Sequence, residues 1–150
     1  MSDKLFKCLT VRIGDQWGGI DVTSIIEVLY FMAFKPVPTL RDDILGFITV
    51  RNEVMPLIDM RRRFGITEVE YRLDIPIVAL REKHGPIALI FDAVDQVEDI
   101  PRAQITPLQS EAQFPDIYAV AKLSDQLVLL LQTDTISQAI HTTDFESHHA

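Results

Sequence analysis

A chain of 150 residues, 47% of them hydrophobic, can bury one core or two small subdomains that share one, and this composition excludes intrinsic disorder. A formal net charge of −8 speaks against a nucleic-acid binder, which needs a basic face to displace counterions, and against a binder of anionic membrane. The single cysteine, Cys8, excludes an intramolecular disulfide and a cysteine-rich metal site.

Leu9, Val11 and Ile13 alternate with Cys8, Thr10 and Arg12, which predicts a half-buried strand ended by the turn residues Gly14-Asp15. Trp17 to Val22 reads as the return strand. Asp21 to Val28 then predicts a short helix capped by Asp21 or Thr23. Leu29 to Val37 is apolar, aromatic and extended as it approaches Pro36 and Pro38. Leu40 to Leu45 suggests one helical turn. Gly46 to Val50, a tight turn at Arg51-Asn52-Glu53, and Val54 to Ile58 form a hairpin. Asp59 is placed to cap a helical turn through Arg63, closed by Gly65. Ile75 to Leu80, Pro86 to Phe91 and Val94 to Ile100 read as strands, with a turn at Lys83-His84-Gly85. Pro101 to Pro115 carries three prolines and little periodicity, and reads as a loop. Ile117 to Leu123 and Gln126 to Gln132 pair around Ser124-Asp125. Thr133 to Ile140 is a helix capped by Thr133 or Asp134, and residues 141–150 form a polar, frayed tail. Short strands joined by tight turns make the chain mainly β, as small barrels or a sandwich.

Catalytic patterns do not assemble. His84, His141, His148 and His149 lack metal-ligand spacing. Asp92, Asp95, Glu98 and Asp99 read as the wet face of a strand whose Val94, Val97 and Ile100 point inward. No glycine-rich phosphate loop, nucleophile elbow or calcium-loop pattern occurs. The expectation is no enzyme, no cofactor and no metal. Arg61-Arg62-Arg63 is the one local basic patch, and one turn of helix leaves at least one of the three solvated. No apolar run approaches the length of a membrane span, and Met1 to Phe6 carries no signal-peptide pattern, so the expectation is a cytoplasmic protein without membrane insertion. Val28 to Phe34 holds three aromatics in a strand, and a strand apolar on both faces needs cover from a second subdomain or a partner.

Gly46-x-Ile48-x-x-Arg51-Asn52-x-x-x-Pro56-x-x-Asp59-Met60-Arg61 resembles the signature of CheW-like domains, which runs Gly-x-(apolar)-x-x-Arg-Gly-x-x-x-Pro-x-x-Asp-Leu-Arg. The likeness extends from about residue 5 to 140, through IGDQWGGIDVTSIIEV, IALIFDAVDQVEDI, RAQITPL and LVLLLQTDTIS. The resemblance implies a single CheW-like domain over residues 1–150, built of two intertwined SH3-like five-stranded β-barrels with short helices and a shared apolar interface. It implies a non-enzymatic adaptor that couples the cytoplasmic tips of chemoreceptors to the regulatory domain of a chemotaxis histidine kinase. That kinase domain has the same fold, so CheW-like partners can form rings beneath membrane-associated receptor arrays. It carries Arg51 and Asn52 over as partner-binding residues, with Ile25 and Glu27 on the family's short helix and its exit, and Val94 and Val97 on the receptor groove. Gly46, Pro56 and Asp59 carry over as the structural part of the motif. Asn52 stands where the family has glycine, at a turn position that needs φ > 0. Met60 replaces leucine, Gly18 stands beside Trp17 where an aromatic is common, and Ala119 stands where a late glycine is common. An adaptor of a pilus or surface-sensing pathway is the divergent version of this reading. A small β-barrel domain that binds a ligand or nucleic acid is the alternative from another class, and Pro56 predicts that its strand lies at a sheet edge.

Overall fold

The computed structural model describes residues 4–30, 34–36, 41–109 and 114–141. Two six-stranded sheets follow one plan: two antiparallel hairpins joined by a central parallel pair, with one further strand on each flank. One sheet holds β1 (Leu5–Ile13), β2 (Gln16–Asp21), β9 (Ala93–Pro101), β10 (Ile105–Pro107), β11 (Ile117–Leu123) and β12 (Gln126–Leu131), in the order β10-β11-β12-β2-β1-β9. The other holds β3 (Ile25–Tyr30), β4 (Lys35–Pro36), β5 (Ile44–Val50), β6 (Glu53–Asp59), β7 (Pro76–Leu80) and β8 (Ile87–Ile90), in the order β3-β7-β8-β6-β5-β4. The first is made from both ends of the described chain and the second is inserted between its strands. They are called the terminal and inserted sheets below.

Three apolar clusters explain the pairing. Leu9, Val11 and Ile13 of β1 join Val78, Leu80 and Phe91 in a core shared by the two sheets. Phe6 and Cys8, on the opposite face of β1, join Ile100, Val128 and Leu130 in a core of the terminal sheet alone. Met55, Leu57, Ile77 and Ile90 anchor a matching core in the inserted sheet. The expected half-buried β1 is therefore buried on both faces, Cys8 and Thr10 included. Two cores with a third between them is what two small barrels sharing an interface require.

The turn chemistry acts as expected around the motif. Arg51 (φ 51°) and Asn52 (φ 67°) form a two-residue hairpin turn, the type whose two central residues both take positive φ. Asp59 caps α1 (Met60–Arg63) by accepting from the Arg61 amide at 3.0 Å. Gly46 follows a β-bulge: β5 places Leu45 as an extra residue between the pairs Ile44↔Ile58 and Gly46↔Leu57.

Several expectations are corrected. Asp21 does cap a turn, but that turn is one of 3₁₀ helix over Val22–Ser24, and Ile25 onward is strand, so Ile25 and Glu27 lie on β3 and not on a helix. β-branched Ile25, Ile26 and Val28 favour the extended form, and antiparallel pairing with β7 holds it. Asp42-Asp43 form a turn before β5 rather than a helix; Leu40 lies outside the described residues. Pro56 sits on an interior strand, between β5 and β8. The closing pair Val50↔Glu53 makes Phe47↔Pro56 a non-hydrogen-bonded pair, so the missing N–H removes no rung from the β5 ladder. Pairing with β8 starts one residue later, at Leu57↔Ala88. The stretch read as a loop from Pro101 contains a 3₁₀ turn at Arg102–Gln104 and the short strand β10. Helix α2 (Thr133–Ala139) is N-capped by Gln132 with no side-chain cap bond; Thr133 is buried and donates instead to Glu82 at 2.5 Å. His141, assigned to the frayed tail, donates through Nε2 to the Pro86 carbonyl at 2.9 Å; the rest of that tail lies outside the described residues. Gly18 faces Val11 in the shared core, and Trp17, one residue away, packs on the opposite face against the terminal sheet's own core.

Cys8 is fully buried, and burial, with Glu98, Asp21 and Asp99 adding their negative charge, pushes its thiol up to about 11. At pH 8 the folded protein should therefore resist a thiol reagent, and labelling should follow global unfolding. Labelling in native buffer as fast as in denaturant contradicts this burial.

Candidate partner-binding surface

The β5–β6 turn projects Arg51 and Asn52 into solvent. Arg51 donates through Nε to Glu27 Oε1 of β3 at 2.8 Å, and Arg81, just after β7, reaches Glu53 Oε1 through Nη2 at 2.6 Å. These two pairs draw the hairpin tip toward β3 and β7. Arg81 holds the Glu53 carboxyl below its usual range. Ion pairs this exposed are screened by water and contribute little to folding. Beside them, Val28, Tyr30 and Val54 are exposed, at 38, 66 and 65%. Exposed apolar side chains next to charged pairs have the make-up of a binding patch with a polar rim. The remaining aromatic of the expected strand, Phe31, lies outside the described residues, and Phe34 packs against the inserted core.

Two of the sequence-predicted residues thus meet: Arg51 and Glu27 pair with each other. Ile25 and Val94 both pack against the shared core, one from each sheet, and are half-buried. Val97, expected to point inward, is 54% exposed on β9. The bulge that leaves Asp95 and Gln96 opposite Thr10 alone sets Val97 opposite Leu9, on the same face as Val94, but β9 is the end strand of its sheet and leaves Val97 uncovered there. Arg81, Glu53 and Val54 were not picked from the sequence. The apolar run at Val28 signalled the patch, whereas the Arg81–Glu53 pair joins positions 28 residues apart and leaves no local signal.

The arginine run points inward. Arg61, 2% exposed, pairs with the fully buried Asp59 through Nε and Nη2, each at 3.0 Å, and with Asp92 at 3.4 Å. Asp92, read as a solvated acid, also accepts from the Gly14 amide at 2.6 Å. Arg62 donates to the Tyr71 hydroxyl at 3.1 Å, and that hydroxyl donates to Asp59 at 2.6 Å. Arg63 holds Asp116 at 2.7 and 3.1 Å and Asp43 at 3.1 Å. All three are engaged within the chain, contrary to the expectation that one is solvated. Within this basic run, Arg63 joins the inserted sheet to Asp116, just ahead of β11 of the terminal one. Among the described residues no group of three His, Cys, Asp or Glu side chains is placed to hold a metal ion.

The family model for the CheW-like domain matches residues 7–141. The chain is 25% identical over 137 residues to the chemotaxis protein CheW of Helicobacter pylori, covering 90% of this chain and 83% of that protein. It is 27% identical over 138 residues to the chemotaxis protein CheW of Thermotoga maritima, covering 91% of each. The crystal structure of the scaffolding protein TtCheW from Thermoanaerobacter tengcongensis superposes with a TM-score of 0.78 at 24% identity, over 85% of this chain and 89% of that one, and shares the fold.

Proposed function

The chain belongs to the CheW-like domain family, and from that premise we propose that it is a non-catalytic adaptor that couples the cytoplasmic tip of a chemoreceptor to the regulatory domain of a chemotaxis-type histidine kinase. Arg51 and Asn52 meet the partner, with Glu27 beside them. Ile25, Val94 and Val97 serve the receptor side of the surface. The protein works in the cytoplasm, recruited to membrane-associated receptor arrays, and CheW-like partners complete a ring. No helix among the described residues is long and apolar enough to cross a membrane.

One observation carries the reading. Arg51 occupies the first place of a turn that asks for Asn, Asp or Gly, at φ 51°, with its side chain exposed. A non-glycine residue there is strained, by about 1 kcal/mol, and the exposed pair with Glu27 does not offset that strain by a clear margin. Such a residue is kept for what it touches outside the fold. The nucleic-acid alternative loses support because the arginine run is neutralised internally.

Arg51→Asn suits the turn and removes the guanidinium. Its folding stability should stay within about 1 kcal/mol of the parent in urea unfolding. Its affinity for the purified kinase regulatory domain or a receptor cytoplasmic fragment, by calorimetry, should fall about tenfold or more. Unchanged affinity for both partners moves the site away from the turn. Absence of binding by the parent protein to either one sinks the adaptor reading.

A further inference from the structure

We propose that the end of the terminal sheet opposite the shared core holds a second binding site, a socket for one lysine or arginine side chain of a partner protein. A cavity of about 200 Å³ opens there, walled by Trp17, Leu123 and Val128, with Thr10 on β1 and the carboxylates Asp95 and Glu98 on β9. Residues three apart on a regular strand point to opposite faces. The bulge opposite Thr10, fixed by the Thr10 hydroxyl donating to the Gln96 carbonyl at 3.0 Å, cancels that alternation and brings Asp95 and Glu98 to one cavity. Among the described residues, no lysine, arginine or histidine pairs with either carboxylate. Asp99, the residue after Glu98 on the same strand, is paired with Lys7, so the open pair is confined to the cavity end of β9.

The chemistry of the occupant follows from the walls. Two acids without a cation, beside two aliphatic side chains and an indole that Arg12 already overlies at 5.2 Å, suit a cationic head on an apolar stem: the head meets the carboxylates, Glu98 giving up its contact with Gln96 Nε2, and the stem meets Leu123 and Val128. The volume is below the roughly 300–1,000 Å³ of pockets that enclose cofactors and drug-sized ligands, and fits one long side chain. β9 is an end strand of its sheet, so an extended partner segment has a path alongside the opening. The site is on the other sheet from the β5–β6 turn and does not depend on which protein that turn meets.

Trp17 is the only tryptophan, so its fluorescence reports on this site alone. The probes are N-acetylarginine amide, its neutral isostere N-acetylcitrulline amide, and a short peptide with one arginine flanked by glycines. The arginine amide should give a saturating change and the citrulline amide none. The peptide should bind at least as tightly as the amide. Asp95→Asn/Glu98→Gln should weaken both arginine probes about tenfold with an unchanged urea midpoint, since the two acids lie at an open rim. Equal responses to arginine and citrulline, or a binding curve untouched by the double variant, overturn the socket. Binding of the free amide with exclusion of the peptide overturns the protein partner.

Discussion

Asp59→Ala is expected to lower folding stability by about 3–5 kcal/mol, the range for breaking a buried ion pair from one side. Asp59 is fully buried and accepts four bonds: the Arg61 amide, the Arg61 guanidinium at two nitrogens, and the Tyr71 hydroxyl. Alanine leaves Arg61 inside with only Asp92 to answer its charge, leaves Tyr71 without its acceptor, and removes the cap of α1. A domain with about 5–15 kcal/mol of stability becomes marginal. Urea unfolding checks the size of the loss. Asp59→Asn keeps one acceptor oxygen, enough for the cap, and sets its amide nitrogen where Tyr71 and Arg61 Nη2 donated, so it should cost less than alanine but still destabilise. Asp59→Ala/Arg61→Met removes the stranded charge and should regain part of the loss, because coupled residues are not additive. A loss for Asp59→Ala below about 1 kcal/mol would mean that the pair contributes little net stability.

This pair also shows how much could be read in advance. The cap at Asp59, the tight turn at Arg51-Asn52 and the bulge-marking Gly46 are local devices, set by a residue and its next few neighbours, and the motif exposes them. Asn52 was expected at positive φ; Arg51 was not, because arginine has no preference for that region and only the closed hairpin forces it. The arginine run is legible as charge but not as structure, since its partners lie up to 53 residues away, at Asp116. Pro56 misled for a related reason. Proline forbids a donor at one position, and strand order decides whether that donor would have been used; the parallel β6–β8 pairing is a long-range event with no local sign. The β9 bulge hides equally well: one extra residue opposite Thr10 puts Val97 on the face of Val94 and Ile100 on the other, and the end position of β9 leaves Val97 exposed. Of the candidate surface, the motif names Arg51 and Asn52, and the resemblance outside the motif names Glu27. Their contact with each other required the fold.

Arg63→Ala is expected to cost about 3 kcal/mol at pH 7 and much less at pH 3. Arg63 reaches from α1 of the inserted sheet to Asp116, just ahead of β11 of the terminal sheet, while also holding Asp43. Burial pushes the Asp43 carboxyl up, but the hydrogen bonds and charges of Arg41 and Arg63 outweigh burial and hold it below its usual range. A carboxyl depressed in the folded state adds stability that is complete above its unfolded value, about 3.9, and is lost as pH falls through the folded value. The parent should therefore lose this contribution only below about pH 4. With Arg63 gone, Arg41 alone opposes burial, the carboxyl moves upward, and the variant has less left to lose on acidification. Urea unfolding of both proteins at pH 7 and at pH 3 should show the gap between them narrowing on the acid side. A gap that stays constant would mean that Arg63 holds the sheets together through the packing of its aliphatic stem. A gap that narrows makes the clamp electrostatic, so that Arg63, from a run legible in the sequence only as a basic patch, holds the two sheets in one orientation through Asp116 and Asp43.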